Sequence, residues 1–121
     1  MQKSIAIIGA GPAGLYLAFK LSSKGKKVYL FDPKTPWEKP CGGMLSPNIL
    51  SEIPEMKKYP YSINMCNGIE YLSTNNARKF IVSEKAIPVI SRKELSRFLL
   101  DIAKDSGTKF IKKKVISFLK G

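Results

Sequence analysis

Histidine is absent from the 121 residues, and cysteine occurs only twice, as Cys41 and Cys66. With no CxxC pair and no imidazole, neither a disulfide framework nor a zinc ligand set is available, which implies no metal and a reducing, cytoplasmic setting. Acidic side chains are scarce as well: nine Asp and Glu stand against 21 Lys and Arg, a formal net charge of +12. Most of the cations are lysines scattered along the chain, with one cluster at Lys109, Lys112, Lys113 and Lys114. No recognised nucleic-acid motif accompanies them, so the charge is read either as a solvated basic surface or as attraction to an anionic membrane. Nor is any stretch long and apolar enough to span a bilayer. Lys3 ahead of the apolar run Ile5–Phe19 has the outline of a signal peptide, but three glycines and a proline interrupt that run. No internal repeat and no low-complexity tract is present.

What the chain does have is a short apolar run, Ile5-Ala6-Ile7-Ile8, that breaks into Gly9-Ala10-Gly11-Pro12-Ala13-Gly14 and continues with helical spacing. This reads as strand, tight turn and helix. A strand followed by G-x-G-x-x-G brings backbone N–H groups and the positive end of a helix to one point, where a diphosphate can sit. Gly9 supplies the turn, Gly11 lets the backbone approach the phosphates, and Gly14 lets the helix lie close to the strand. A glycine-rich turn alone is weak evidence, so its surroundings decide. Leu17, Ala18 and Leu21 form an expected buried stripe on the helix, and Gly25 stands where a C-cap glycine belongs. A second strand, Val28 to Phe31, ends in Asp32, the place of the acid that takes ribose hydroxyls in a βαβ nucleotide unit. A carboxylate there disfavours a 2′-phosphorylated nucleotide, since two anions would face each other.

Beyond that unit, Pro33, Pro36, Pro40 and the pair Gly42-Gly43 forbid a regular helix or a central strand, leaving a loop with special backbone geometry. It leaves the carboxyl end of the second strand, the sheet edge where ligands bind in α/β folds. Ser46-Pro47 reads as N-cap and first residue of a short helix carrying Ile49, Leu50 and Ile53 and stopped by Pro54. Alternation in Ile63–Leu72 and Lys79–Val82, with Asn75-Asn76 between them, predicts strands of an antiparallel β insertion over about residues 57–90. Ser91 and Glu94 form a capping box before a helix whose apolar face is Leu95, Phe98, Leu99, Ile102 and Ala103, closed by Gly107. Phe110-Ile111 and Val115–Leu119 follow as strand candidates. The expected architecture is α/β: a Rossmann-like βαβ core with a parallel sheet and a small antiparallel β insertion, in one domain, 1–121.

Three features together resemble the geranylgeranyl reductase family of FAD-dependent oxidoreductases, in the p-hydroxybenzoate hydroxylase-like group: Gly9–Gly14, Asp32, and Lys39-Pro-Cys-Gly-Gly-Met-Leu-Ser46. The Ser91-Arg-Lys-Glu-Leu95 run resembles the family's arginine-led helix. The K-P-C-G-G loop is the specific part, because plain NAD dehydrogenases do not carry it. The resemblance spans essentially the whole chain and only the family's N-terminal portion. It implies FAD as cofactor, with Gly9, Gly11, Pro12, Ala13 and Gly14 at the diphosphate and Asp32 and Pro33 at the ribose end. Cys41, Gly42, Gly43 and Arg92 complete the implied cofactor set. It also implies hydride transfer from reduced flavin to an isoprenoid or lipid double bond, with a small-molecule or lipid substrate. Relatives of monooxygenase and halogenase type share the same start, and a non-catalytic dinucleotide-binding module is the alternative from another class. A length of 121 residues is short for a complete oxidoreductase of this kind, and the later Gly-Asp and aromatic substrate-side segments are absent.

Several side chains carry two readings. Cys41 is either a thiol with a lowered pKa near flavin or substrate, and so a weak catalytic candidate, or a small residue that packs the loop. Arg92 is either a cofactor contact or a solvated first-turn residue. Trp37 and Tyr16 are read as packing residues rather than flavin stackers, and Cys66 as a small core residue in a strand.

Overall fold

The structure, a computed structural model, describes residues 3–120. In chain order it contains β1 (Ser4–Ile8), α1 (Pro12–Ser23), β2 (Lys27–Phe31), α2 (Ile49–Glu52), β3 (Asn64–Leu72), β4 (Arg78–Val89), α3 (Arg92–Asp105) and β5 (Lys109–Ile111). The chain divides into two compact units, one comprising the residues up to Lys39 and from Arg92 onward, the other Pro40–Ser91.

In the first unit β1, β2 and β5 form a parallel sheet in that order, with Ile7 opposite Leu30 and Leu30 opposite Phe110. Alternation puts Val28 and Leu30 on the covered face of β2, at 1% and 0% exposure. Helix α1 makes the β1-to-β2 crossover that a parallel pair requires, and α3 packs beside it before returning the chain to β5. The apolar face of α3 is buried at Leu95, Phe98, Leu99, Leu100 and Ala103, while Ile102 is half-buried. Gly25 and Gly107 follow the two helices with positive φ of 72° and 105°, the left-handed backbone that glycine adopts most readily. At the far end of α1 the hydroxyls of Ser22 and Thr108 lie 2.7 Å apart, and Thr108 Oγ1 donates to the Ala18 carbonyl. Two buried polar side chains are thereby satisfied without water.

The buried stripe of α1 differs from the expected one. Leu15, Ala18 and Ser22 are buried, whereas Leu17 is 49% exposed and Leu21 half-buried. Apolar residues occur on every side of this helix, so its local pattern does not set the phase. Gly14 sets it by facing β1, which puts Ala18 and Ser22 beneath it at intervals of four.

In the second unit β3 and β4 form an antiparallel ribbon, paired from Asn64–Val89 to Leu72–Arg78 with an irregularity between Cys66 and Gly68. Its turn carries Asn76 at φ 62°, a conformation that asparagine tolerates better than most residues. β4 is longer than the Lys79–Val82 expectation because its ladder continues through Pro88 opposite Met65. Helix α2 begins two residues after the expected start. Asn48 takes the N-cap position, and Ser46 Oγ accepts from the Asn48 amide in the turn before it.

Val115–Leu119, a strand candidate, lies outside any strand, and Ile116, Phe118 and Leu119 are 87%, 82% and 94% exposed. A β-prone sequence becomes a strand only where a partner completes its ladder, and none pairs with it among the described residues. Cys66, read as a core residue, is exposed on β3.

The shift of the α1 stripe sets up a direct comparison. Leu15→Ala is expected to cost about 2–5 kcal/mol of unfolding free energy, and Leu17→Ala to stay within about 0.5 kcal/mol. Urea denaturation of the two variants measures this, and equal costs would contradict the phase described.

Candidate functional site

The glycine turn joins the carboxyl end of β1 to α1. Gly9 has φ 98°, and its amide donates to the Phe31 carbonyl at 2.8 Å, locking the turn to the end of β2. A Cβ on Gly14 would collide with the Gly9 carbonyl, so the helix reaches this close to the strand only with glycine there. A Cβ on Gly11 would meet nothing within 4 Å, which leaves open space above the turn. Gly11 is also the N-cap of α1, and Pro12 follows at the first helical position, where its missing N–H costs nothing. No side chain caps this helix end and no acidic residue lies in its first turn. The amides of Ala13 and Gly14 therefore keep the partial positive charge of the helix terminus for an incoming anion.

Asp32 lies just past β2 and is tied to this turn. Its Oδ2 accepts from the Ala10 amide at 3.0 Å, and its Oδ1 accepts from the amides of Lys34 and Thr35 at 2.8 and 2.9 Å. Burial alone would raise the carboxyl pKa, but the bonds from Ala10, Thr35 and Lys34 outweigh it and hold the group below the ordinary aspartate value. A carboxylate offers about four acceptor positions. The amides of Ala10, Lys34 and Thr35 take three of these. Thr35, 1% exposed, donates its hydroxyl to the Ala10 carbonyl at 2.8 Å.

Beside the turn lies a cleft of about 200 Å³ whose walls include Gly11, Pro12, Asp32, Trp37, Lys39 and Arg92. Sequence reasoning named Gly11, Pro12, Asp32 and Arg92, and the fold brings these four to one cleft. Gly9, Ala13 and Gly14 adjoin it along the turn, and Pro33 is exposed just after Asp32. The cleft's cations, Lys39 and Arg92, suit an anionic ligand. Helix α3 is held at the cleft by Glu38, whose carboxylate accepts from the backbone amides of Arg92 and Lys93 at 2.9 and 3.2 Å. Neither Thr35 nor Glu38 was evident beforehand, because each bonds a partner 25 and 54 residues away. Trp37, read as packing, lines the cleft with Lys34 Nζ over its ring at 4.7 Å.

Cys41, Gly42 and Gly43 belong to the other unit. Cys41 and Gly42 are exposed, and the helix expected just after this loop begins only at Ile49. Gly43 is buried at φ 77°, its carbonyl accepts from the Ile90 amide, and a Cβ there would collide with the Ile90 carbonyl. Close backbone pairing is thus the physical need for the second glycine of K-P-C-G-G. Among the described residues no cluster of three or more potential metal ligands occurs, and no helix is long and apolar enough to cross a membrane.

Residues 3–116 match the model of the pyridine nucleotide-disulphide oxidoreductase family. A geranylgeranyl diphosphate reductase of Synechocystis is 30% identical over 116 residues, covering 92% of this chain and 28% of that protein. A geranylgeranyl bacteriochlorophyll reductase-like protein of Thermoplasma acidophilum superposes with TM-score 0.76 at 20% identity, over 98% of this chain and 32% of that one. A variant of the halogenase PltM, solved in complex with FAD, has the same TM-score and identity over 100% and 30%. The chain spans about 28% of the length of the curated reductase it matches.

The Asp32 bonds imply a pH dependence of defined sign. With a folded pKa below the unfolded value, the carboxylate's contribution is complete above about pH 4 and is lost as pH falls through the folded value. The difference in urea midpoint between the native chain and Asp32→Asn should therefore be largest at neutral pH and shrink below about pH 4. A difference that is constant across that range would rule out the assignment.

Proposed function

Because the chain belongs to the pyridine nucleotide-disulphide oxidoreductase family, we propose that it binds FAD at the glycine turn, as the cofactor-binding part of a flavin-dependent oxidoreductase. The observation that carries this reading is the uncapped N-terminus of α1 opening at Gly11 into the cleft that holds the Asp32 carboxylate. The amides of Ala13 and Gly14 would receive the diphosphate, and the Asp32 carboxylate a ribose hydroxyl. Arg92 and Lys39 would offset the phosphate charge. Bound flavin supplies the hydride chemistry, and the protein's part is to hold and orient it. Cys41, Gly42 and Gly43, which the resemblance implies as cofactor contacts, carry no part of this reading.

The acceptor favoured for the hydride is an isoprenoid or lipid double bond, since the sequence likeness is to a geranylgeranyl diphosphate reductase. Halogenases share the fold, so FAD binding is the more general part of the proposal and the acceptor the more specific one. A net charge of +12 supports peripheral docking on an anionic membrane, where such substrates reside.

Titration of the purified chain with FAD and with NAD, followed by flavin fluorescence and calorimetry, tests the reading. FAD is expected to bind more tightly than NAD. Gly11→Val, which fills the open space above the turn, should weaken FAD by at least about tenfold at little cost in stability. A chain that binds no FAD overturns the proposal.

A further inference from the structure

Ala10 lies between the two glycines that shape the turn, and both of its backbone polar groups are held by the loop after β2. Its amide donates to Asp32 Oδ2 at 3.0 Å, and its carbonyl accepts from Thr35 Oγ1 at 2.8 Å. The Thr35 amide donates in turn to Asp32 Oδ1 at 2.9 Å, closing a ring of three hydrogen bonds among Ala10, Asp32 and Thr35. Ala10 and Thr35 are each 1% exposed, so water does not substitute for any of these partners.

The Ala10 carbonyl belongs to the same peptide plane as the Gly11 N–H. In a trans peptide the two point in opposite directions. Anchoring that carbonyl inward on Thr35 therefore turns the Gly11 N–H outward, at the residue that lines the cleft and has open space around it. We propose that Thr35 is a positioning residue for nucleotide binding: through the Ala10 carbonyl it sets the orientation of the Gly11 amide toward the cofactor diphosphate. This inference rests on the FAD reading above.

Without the hydroxyl the buried carbonyl loses this partner, and a rotation of the Ala10–Gly11 peptide lets it find another. That rotation withdraws the Gly11 amide. An amide already oriented spares the ligand the cost of ordering the turn, so the hydroxyl acts on affinity as well as on stability.

The test uses the full chain and three variants. Thr35→Val removes the hydroxyl at nearly constant shape, and Thr35→Ser restores it. Thr108→Val removes another buried hydroxyl, the one bonded to Ser22 and Ala18, which does not line the cleft. FAD affinity and thermal midpoint are measured for each. Thr35→Val is expected to bind FAD about tenfold more weakly, Thr35→Ser within about threefold of the native chain, and Thr108→Val to lose stability with affinity within about threefold. Native affinity in Thr35→Val, or an equal loss of affinity in Thr108→Val, overturns the assignment. A native chain that binds no FAD instead removes the reading on which the inference rests. If Thr35→Val does not fold, Thr35→Ala serves in the same comparison.

Discussion

Helix α1 can lie against β1 only because Gly14 presents no side chain to the Gly9 carbonyl. That approach governs much of the first unit. It sets the phase of α1, turning Leu15, Ala18 and Ser22 inward and leaving Leu17 outside. It places the last residue of the helix stripe, Ser22, where its hydroxyl meets Thr108 at the entry to β5. It also brings the helix terminus to the end of the sheet, so that the uncapped amides open beside the residues that follow β2. The same absence of a Cβ that permits the packing leaves the uncapped helix terminus at the sheet end, where negative charge is favoured.

Asp32 has a structural purpose. A carboxylate at this position is readily taken as a ligand group, yet three of its acceptor positions are filled by the protein's own amides. Those bonds connect the glycine turn, the end of β2 and the start of the following loop. They also keep the group ionised, because burial is outweighed by the amides that stabilise the anion. Glu38 does comparable work on α3, where its carboxylate takes the first helical amides and Arg92 is carried with them. Two acids among only nine in the chain are thus placed on helix or turn amides, where negative charge is favoured.

The second unit follows a different logic. Its ribbon exposes Tyr71, Leu72, Phe80 and Val82, each more than half exposed. An isolated two-stranded ribbon is marginal in water. Gly43 contributes by letting the chain pair edge to edge with Ile90, a backbone requirement that accounts for one glycine of the K-P-C-G-G loop without reference to any ligand.

The local sequence was sufficient for most of the elements: β1, the glycine turn, β2, the antiparallel ribbon and α3 all follow from apolar periodicity and from Gly, Asn and Pro at positions where backbone geometry demands them. It also indicated Gly11 and Asp32, because the turn and the end of β2 are close in sequence to the strands that position them, whereas Pro12 and Arg92 came only with the family resemblance. It misread Val115–Leu119, since strand formation depends on a partner that no local pattern contains. The phase of α1 came from one steric contact with β1, not from a helix that is apolar nearly all round. Thr35 and Glu38 became visible only in three dimensions, because a hydroxyl or carboxylate acts through whatever group the fold brings within 3 Å, and theirs are Ala10 and Arg92, 25 and 54 residues away.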